Sequence, residues 1–205
     1  LNGTESVRSY NSSGTLGLSP GATSGTLLVT ESPINLMDGH LSLNGTNLQN
    51  LGGQNPQLTS NGNVVISGTA GTTSEGPDNA TINVGALDIE TGTLTLNGLL
   101  TNPEGIINIR PGATLVSGSS DRINGDSSTL NLEAGATWTL GGDDTIGTFN
   151  ASGLLNGQGT LTADIYNLSD GAVTEVLANL GSGTLNSDGS AVLNGDAAVE
   201  TANVN

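Results

Sequence analysis

The residues best placed to do chemistry are Asp143 and Asp144, an adjacent acidic pair that follows Gly141-Gly142. Two carboxylates on a glycine-opened loop are the oxygen donors that a calcium ion takes. Gly-Gly-Asp-Asp-Thr-Ile-Gly shares its residue types with calcium-binding nonapeptides, but it lacks the Gly-Gly-x-Gly-x-Asp order and no tandem copy follows. The expectation is therefore a solvated turn, with a structural calcium ion as the alternative use. Asp121, Asp126, Asp170, Asp188 and Asp196 each stand beside Gly, Asn or Ser and read as corners. The sequence assigns no catalytic, cofactor-binding or metal-binding residue.

Other chemistries find little material. Glycoside hydrolysis needs two carboxylates converging on one face, and a polysaccharide lyase generally wants a basic side chain in its groove. Lysine is absent, and the basic residues are Arg8, Arg110 and Arg122. His40 is the sole histidine and there is no cysteine, which leaves neither a zinc site nor a His-dependent triad. His40 beside Leu41-Ser42-Leu43 reads as an outward strand residue. Trp138, between Thr137 and Thr139, reads as core or a wall plug rather than a sugar-stacking platform. Asn-x-Ser/Thr triplets start at Asn2, Asn11, Asn44, Asn79, Asn150 and Asn167, about as many as chance produces at this Asn, Ser and Thr content. Thr-x-Thr pairs at Thr93-Leu94-Thr95, Thr137-Trp138-Thr139 and Thr160-Leu161-Thr162 raise ice binding, which is set aside because most other strands lack the pair.

The balance of charge excludes more. Nineteen acids against three arginines give a formal charge of −16 over 205 residues. Such a chain repels nucleic acid, whose binding needs clustered Lys and Arg, and it repels anionic membrane. No window approaches a membrane span. The absence of cysteine fits a long secreted bacterial chain held together without disulfides. The first residues, Leu1-Asn2-Gly3-Thr4-Glu5, lack a basic and apolar leader, and the chain stops at Ala202-Asn203-Val204-Asn205 inside an alternating pattern. Both predict a segment of a larger protein.

The elements that would position any site are short strands. Gly92-Thr93-Leu94-Thr95-Leu96, Gly112-Ala113-Thr114-Leu115, Thr129-Leu130-Asn131-Leu132 and Gly135-Ala136-Thr137-Trp138-Thr139-Leu140 alternate apolar with polar residues, as do Gly159-Thr160-Leu161-Thr162 and Gly183-Thr184-Leu185-Asn186. Period 2 puts one face inside and one in water. Gly, Asn, Asp and Pro separate the bursts, and Gly supplies the positive φ that tight corners need. Gly-Ala-Thr recurs at 112 and 135, an offset of 23, and Gly-Thr-Leu at 159 and 183, an offset of 24. Both offsets match one turn of a three-sided coil.

The pattern predicts an all-β parallel β-helix, or β-solenoid, of about nine coils at about 22 residues each, a rod on the order of 45 Å at ~4.8 Å per coil. One Trp, one Phe and two Tyr leave Leu, Ile, Val and Ala to fill a narrow bore. Asn at equivalent places in successive coils is expected to stack into amide ladders that satisfy buried polar groups. Residues 1–60, with Ser19-Pro20-Gly21, Ser32-Pro33 and Gly52-Gly53, read as an irregular cap or extension with strand candidates at Thr26 to Thr30 and His40 to Leu43. The solenoid repeats proper run over 61–205. Val173 to Leu180 is the one stretch with helical propensity, and it reads equally well as strand.

The run from Thr91 to Leu115, Gly159-Thr-Leu-Thr-Ala-Asp-Ile-Tyr-Asn-Leu-Ser-Asp-Gly-Ala-Val173 and Ala178-Asn-Leu-Gly-Ser-Gly-Thr-Leu-Asn186 together resemble the repeats of large bacterial exoproteins, the filamentous-haemagglutinin-like and autotransporter passenger β-helices. Asn55-Pro56-Gln57-Leu58 and Asn102-Pro103-Glu104-Gly105 approximate the Asn-Pro-Asn-Leu and Asn-Pro-Asn-Gly elements of two-partner secretion domains. The resemblance implies a right-handed helix, export across the outer membrane, and a role in adhesion, aggregation or biofilm cohesion. It transfers no catalytic residue. The expected function is thus that of a rigid, non-enzymatic rod at the bacterial cell surface. Its partner would be a glycan or protein of a host or neighbouring cell, or another copy of itself. Alternatives are a carbohydrate-binding or carbohydrate-active β-helix, such as a tailspike or a glycan-modifying enzyme, and a self-assembling fibre subunit.

Overall fold

In the computed structural model, strands are described at intervals from Thr4 to Thr101, and the chain is followed from Gly105 to Asn205 except at positions 119 and 176. Side chains are described from Ala86 to Leu96 and from Gly105 onward, except at positions 119, 124 and 176. All 23 described strands join one parallel sheet that winds about a single axis. It is a parallel β-solenoid, as the alternation predicts, and right-handed, as the resemblance implies, with about six turns from Thr81 onward. The expected nine coils thus compare with about six in this part, and the strands before it carry the same ladders.

Three faces share the work. The first face stacks Leu99–Thr101, the start of Ile123–Leu132, the start of Asp144–Ala151, the start of Gly159–Leu168, and Ala178–Leu180. The second stacks Ala86–Thr91, Ile106–Ile109, the ends of those same three long strands, Thr184–Ser187 and Thr201–Val204. The third stacks Val64–Ser67, Thr93–Leu96, Thr114–Ser117, Thr137–Leu140, Leu154–Gly157, Val173–Thr174 and Val192–Leu193. Earlier strands, Thr26–Val29 and Ile34–Ser42 among them, pair in parallel on these faces. Whether residues 1–60 form a cap lies outside the residues described with side chains. The stretch with helical propensity forms the strands Val173–Thr174 and Ala178–Leu180.

The bore is filled by the inward member of each pair: Ile107 and Ile109, Leu130 and Leu132, Leu115, Leu140, Leu161 and Leu180 are buried. The aromatics described with side chains also point inward. Trp138, Phe149 and Tyr166 have no exposed surface, and Trp138 meets Phe149 edge to face at 5.8 Å and 64°. Trp138 is core, as expected. The Tyr166 hydroxyl donates to Leu161 O at 2.7 Å and accepts from Ala163 N at 2.9 Å, which satisfies a polar group inside an apolar bore.

Corners set the length of each lap. Between the second and third faces, Ala113 N donates to Arg110 O at 2.9 Å and Ala136 N donates to Glu133 O at 2.9 Å. Gly112 and Gly135 hold φ of 80° and 79° at the third position of these turns, a conformation that glycine adopts without penalty. The Gly-Ala-Thr recurrence thus marks one lap. The Gly-Thr-Leu recurrence does not: Gly159 lies on the first face opposite Ala178, whereas Thr184 lies on the second face opposite Ile165. The lap there is shorter than 24 residues because corners lose residues. Asp126–Ser128 fill the corner between first and second faces in one lap, and Gly147 alone fills it in the next.

One glycine is under a tighter demand than the turns. Gly183 has φ of 136°, and a Cβ there would run into the carbonyl oxygen of Ala163. Gly183→Ala adds a clash with that carbonyl to the strain of a positive φ and is expected to cost about 3 kcal/mol or more, whereas Gly112→Ala, where a Cβ meets nothing within 4 Å, carries the strain of the positive φ alone, about 1–2 kcal/mol. Urea unfolding of the two variants checks the order.

Candidate functional site

The acidic pair does not form one site. Asp144 points inward and is 1% exposed, and its Oδ1 accepts from the backbone N–H groups of Arg122 and Ile123, both at 2.9 Å. Asp143 points into water, and its Oδ1 accepts from Thr160 N at 2.7 Å. Strand alternation sends adjacent side chains to opposite faces, so the two carboxylates serve as corner fasteners to different laps. Among the described residues, no group of three or more His, Cys, Asp or Glu gathers as metal ligands. The other corner acids match the expectation. Asp121 adopts φ of 56°, and the Asp170 carboxylate accepts from Ser190 N at 2.5 Å. The His40 side chain lies outside the described residues.

Burial dominates the chemistry of Asp144. It lifts the carboxyl to about 6, against the pull of hydrogen bonds from Ile123 N, the Ser117 hydroxyl and Arg122 N. Oδ2 is buried without a hydrogen-bond partner. Ser117 Oγ in turn accepts from Trp138 Nε1 at 3.0 Å, so the core indole and the acid share one hydroxyl.

On the surface, Arg110 spans three laps. Its guanidinium donates to both oxygens of Asp88, at 2.8 and 3.0 Å, and to Glu133 at 2.7 Å. Hydrogen bonding to Asp88 first, and then to Glu133, raises its already high pKa further. As a surface cluster with Arg110 42% exposed, it adds little to stability. On the third face a shallow recess of about 380 Å³ is lined by Thr139, Asn156, Gly157, Glu175 and Leu177. It holds one carboxylate, and Leu177 on its rim is 58% exposed.

The most regular feature lies on the outside of the second face. Asn131 Nδ2 donates to Asn108 Oδ1 and Asn150 Nδ2 to Asn131 Oδ1, each at 2.8 Å, with sequence separations of 23 and 19. Asn167 donates to Asn150 at 2.8 Å across 17 residues and Asn186 to Asn167 at 2.9 Å across 19. Asn203 donates to Asn186 at 2.9 Å across 17. The amide ladder is real, but it stands at the outer surface rather than among buried polar groups. Each Asn follows an inward apolar residue, so period 2 turns it out.

Beside it runs a second outward column: Ile106, Thr129, Thr148, Ile165, Thr184 and Thr201. From Ile106 to Thr201 and from Asn108 to Asn203 neither column carries a charge, and Asp88 continues the Asn column in the lap before Asn108. Protein-family models, curated proteins and solved structures give no match to this chain. The likeness to exoprotein repeats therefore rests on the residues quoted above, and the site rests on geometry.

The Thr-x-Thr pairs do not share a face. Those at 93 and 137 lie on the third face and that at 160 on the first. The regular array is Thr-x-Asn: Thr129-Leu130-Asn131, Thr148-Phe149-Asn150, Thr184-Leu185-Asn186 and Thr201-Ala202-Asn203, with Ile165-Tyr166-Asn167 among them. Asn one residue after an inward-facing apolar residue is the local trace it leaves in the sequence. Asn150→Ala removes one donated and one accepted hydrogen bond and is expected to cost about 1–2 kcal/mol. Asn203→Ala, which loses only the bond to Asn186, should cost less than half of that, as thermal melts of the pair will show.

Proposed function

We propose that this chain is a non-enzymatic structural segment of a bacterial surface adhesin or exoprotein, exported to the cell surface and acting as a stiff rod for attachment or aggregation. The observation that carries this reading is the parallel pairing of each lap with the one before it on all three faces. Load along such a rod is spread over backbone ladders that act together, and each added lap contributes another layer of buried aliphatics. The resemblance to exoprotein repeats supports the same reading.

The carbohydrate-active alternative needs two carboxylates converging on a groove, and the third-face recess contributes Glu175 alone. The test is display of the chain on a non-adherent bacterium through a carrier anchor, with counts of cells retained on host cells, on glycan-coated glass and on each other. Retention above the anchor-only control supports the proposal. Retention equal to that control in all three assays refutes it.

A further inference from the structure

We propose that the outer surface of the second face binds ice. This goes beyond the rod reading and does not depend on it. The two columns set side chains at about 4.8 Å from lap to lap and about 6.7 Å between alternate residues along a strand. In a tetrahedral water lattice with O–H···O contacts of about 2.75 Å, equivalent oxygens repeat at about 4.5 Å in one direction and about 7.3 Å across it. The two grids differ by about 0.3 Å from lap to lap and about 0.6 Å along the strand, and waters bridging side chains to the lattice are what would take up that difference.

The chemistry of the face fits water rather than an ion or a sugar. In a chain of charge −16, the columns from Ile106 to Thr201 and from Asn108 to Asn203 contain no acid. At the trailing edge of the face Arg110 pairs with both Asp88 and Glu133, and at the leading edge the exposed Asp164 and Glu200 stand next to Ile165 and Thr201, outside the two columns. Thr and Ile offer methyl groups between hydroxyls. Thr is stiff at χ1, and every Asn from 131 to 186 is held by its neighbours on both sides. These groups are therefore fixed before they meet a partner, and little side-chain entropy remains to be lost. Order in two directions is useful only against a partner that repeats in two directions. A single glycan chain repeats in one, and among the residues described with side chains it would find no aromatic platform, because Trp138, Phe149 and Tyr166 are inside.

The test is ice growth in a nanolitre osmometer, together with adsorption onto an ice hemisphere of the 205-residue chain labelled at its terminal amine. The unmodified chain is expected to facet ice crystals and to adsorb. Thr148→Lys and Thr184→Lys should lose both properties while keeping the far-ultraviolet spectrum of folded protein. Thr137→Lys, on the third face, should keep both properties. Folded unmodified chain that neither facets nor adsorbs overturns the proposal. So does loss with Thr137→Lys and retention with Thr148→Lys and Thr184→Lys, or adsorption to crystalline cellulose without adsorption to ice.

Discussion

Trp138→Ala is expected to destabilise the protein by about 3–5 kcal/mol, the range for emptying a fully buried indole site. The ring has no exposed surface and packs edge to face on Phe149. Its neighbours on the third face are Leu115 and Leu155 in the adjacent laps, which backbone pairing holds at a fixed distance. The wall therefore cannot collapse into the gap, which places the loss near the upper end of the range. Trp138→Phe keeps most of the volume and forfeits the bond to Ser117, so it should cost about 1–2 kcal/mol. Urea unfolding followed by circular dichroism separates the two. Equal midpoints for Trp138→Ala and the unmodified chain would show that the bore is not packed as described.

Asp144 should make stability fall as pH rises. Its carboxyl lies at about 6 in the folded protein against 3.8 for the ordinary group, so the folded state holds the proton more tightly than the unfolded state does. The contribution is then most favourable below about pH 4 and declines through pH 6, by about 3 kcal/mol in all. Asp144→Asn leaves an acceptor for the N–H groups of Arg122 and Ile123 without a buried charge. The variant should be more stable than the parent by about 2–3 kcal/mol at pH 7 and should show no advantage at pH 4. Because Ser117 links the acid to Trp138, indole fluorescence of the parent should shift near pH 6, and that of the variant should not. Matching pH profiles for the two proteins would contradict the assignment.

The fold was legible because alternation is a local property. Thr93-Leu94-Thr95-Leu96 and Ile106 to Ile109 can be read as strands from four residues, and their bounds agree with the structure. Gly112-Ala113 and Gly135-Ala136 could be paired because a positive φ recurs at the same corner. Gly159-Thr160-Leu161 and Gly183-Thr184-Leu185 misled because alternation looks the same on every face, and nothing within three residues says which face is meant. The outer array was hidden for a related reason. Its separations run 23, 19, 17, 19 and 17, so no single period reveals it, and the ladder becomes visible once the corners have been counted out. The partition of Asp143 and Asp144 follows from alternation alone. The depth of Asp144 depends on which laps lie above and below it.

The asparagine stack also gives the rod a direction. Each of the five bonds runs the same way, the amide of the later lap donating to that of the earlier one, from Asn203 back to Asn108. Aligned amide dipoles add head to tail as peptide dipoles do in a helix. Uncharged side chains thus give the rod a net moment along its axis, with the amide hydrogens leading at one extremity and the carbonyl oxygens at the other. Where two such rods meet end to end, the ladder favours one relative direction over the reverse, a polarity built from neutral groups and set against the repulsion between two chains of charge −16.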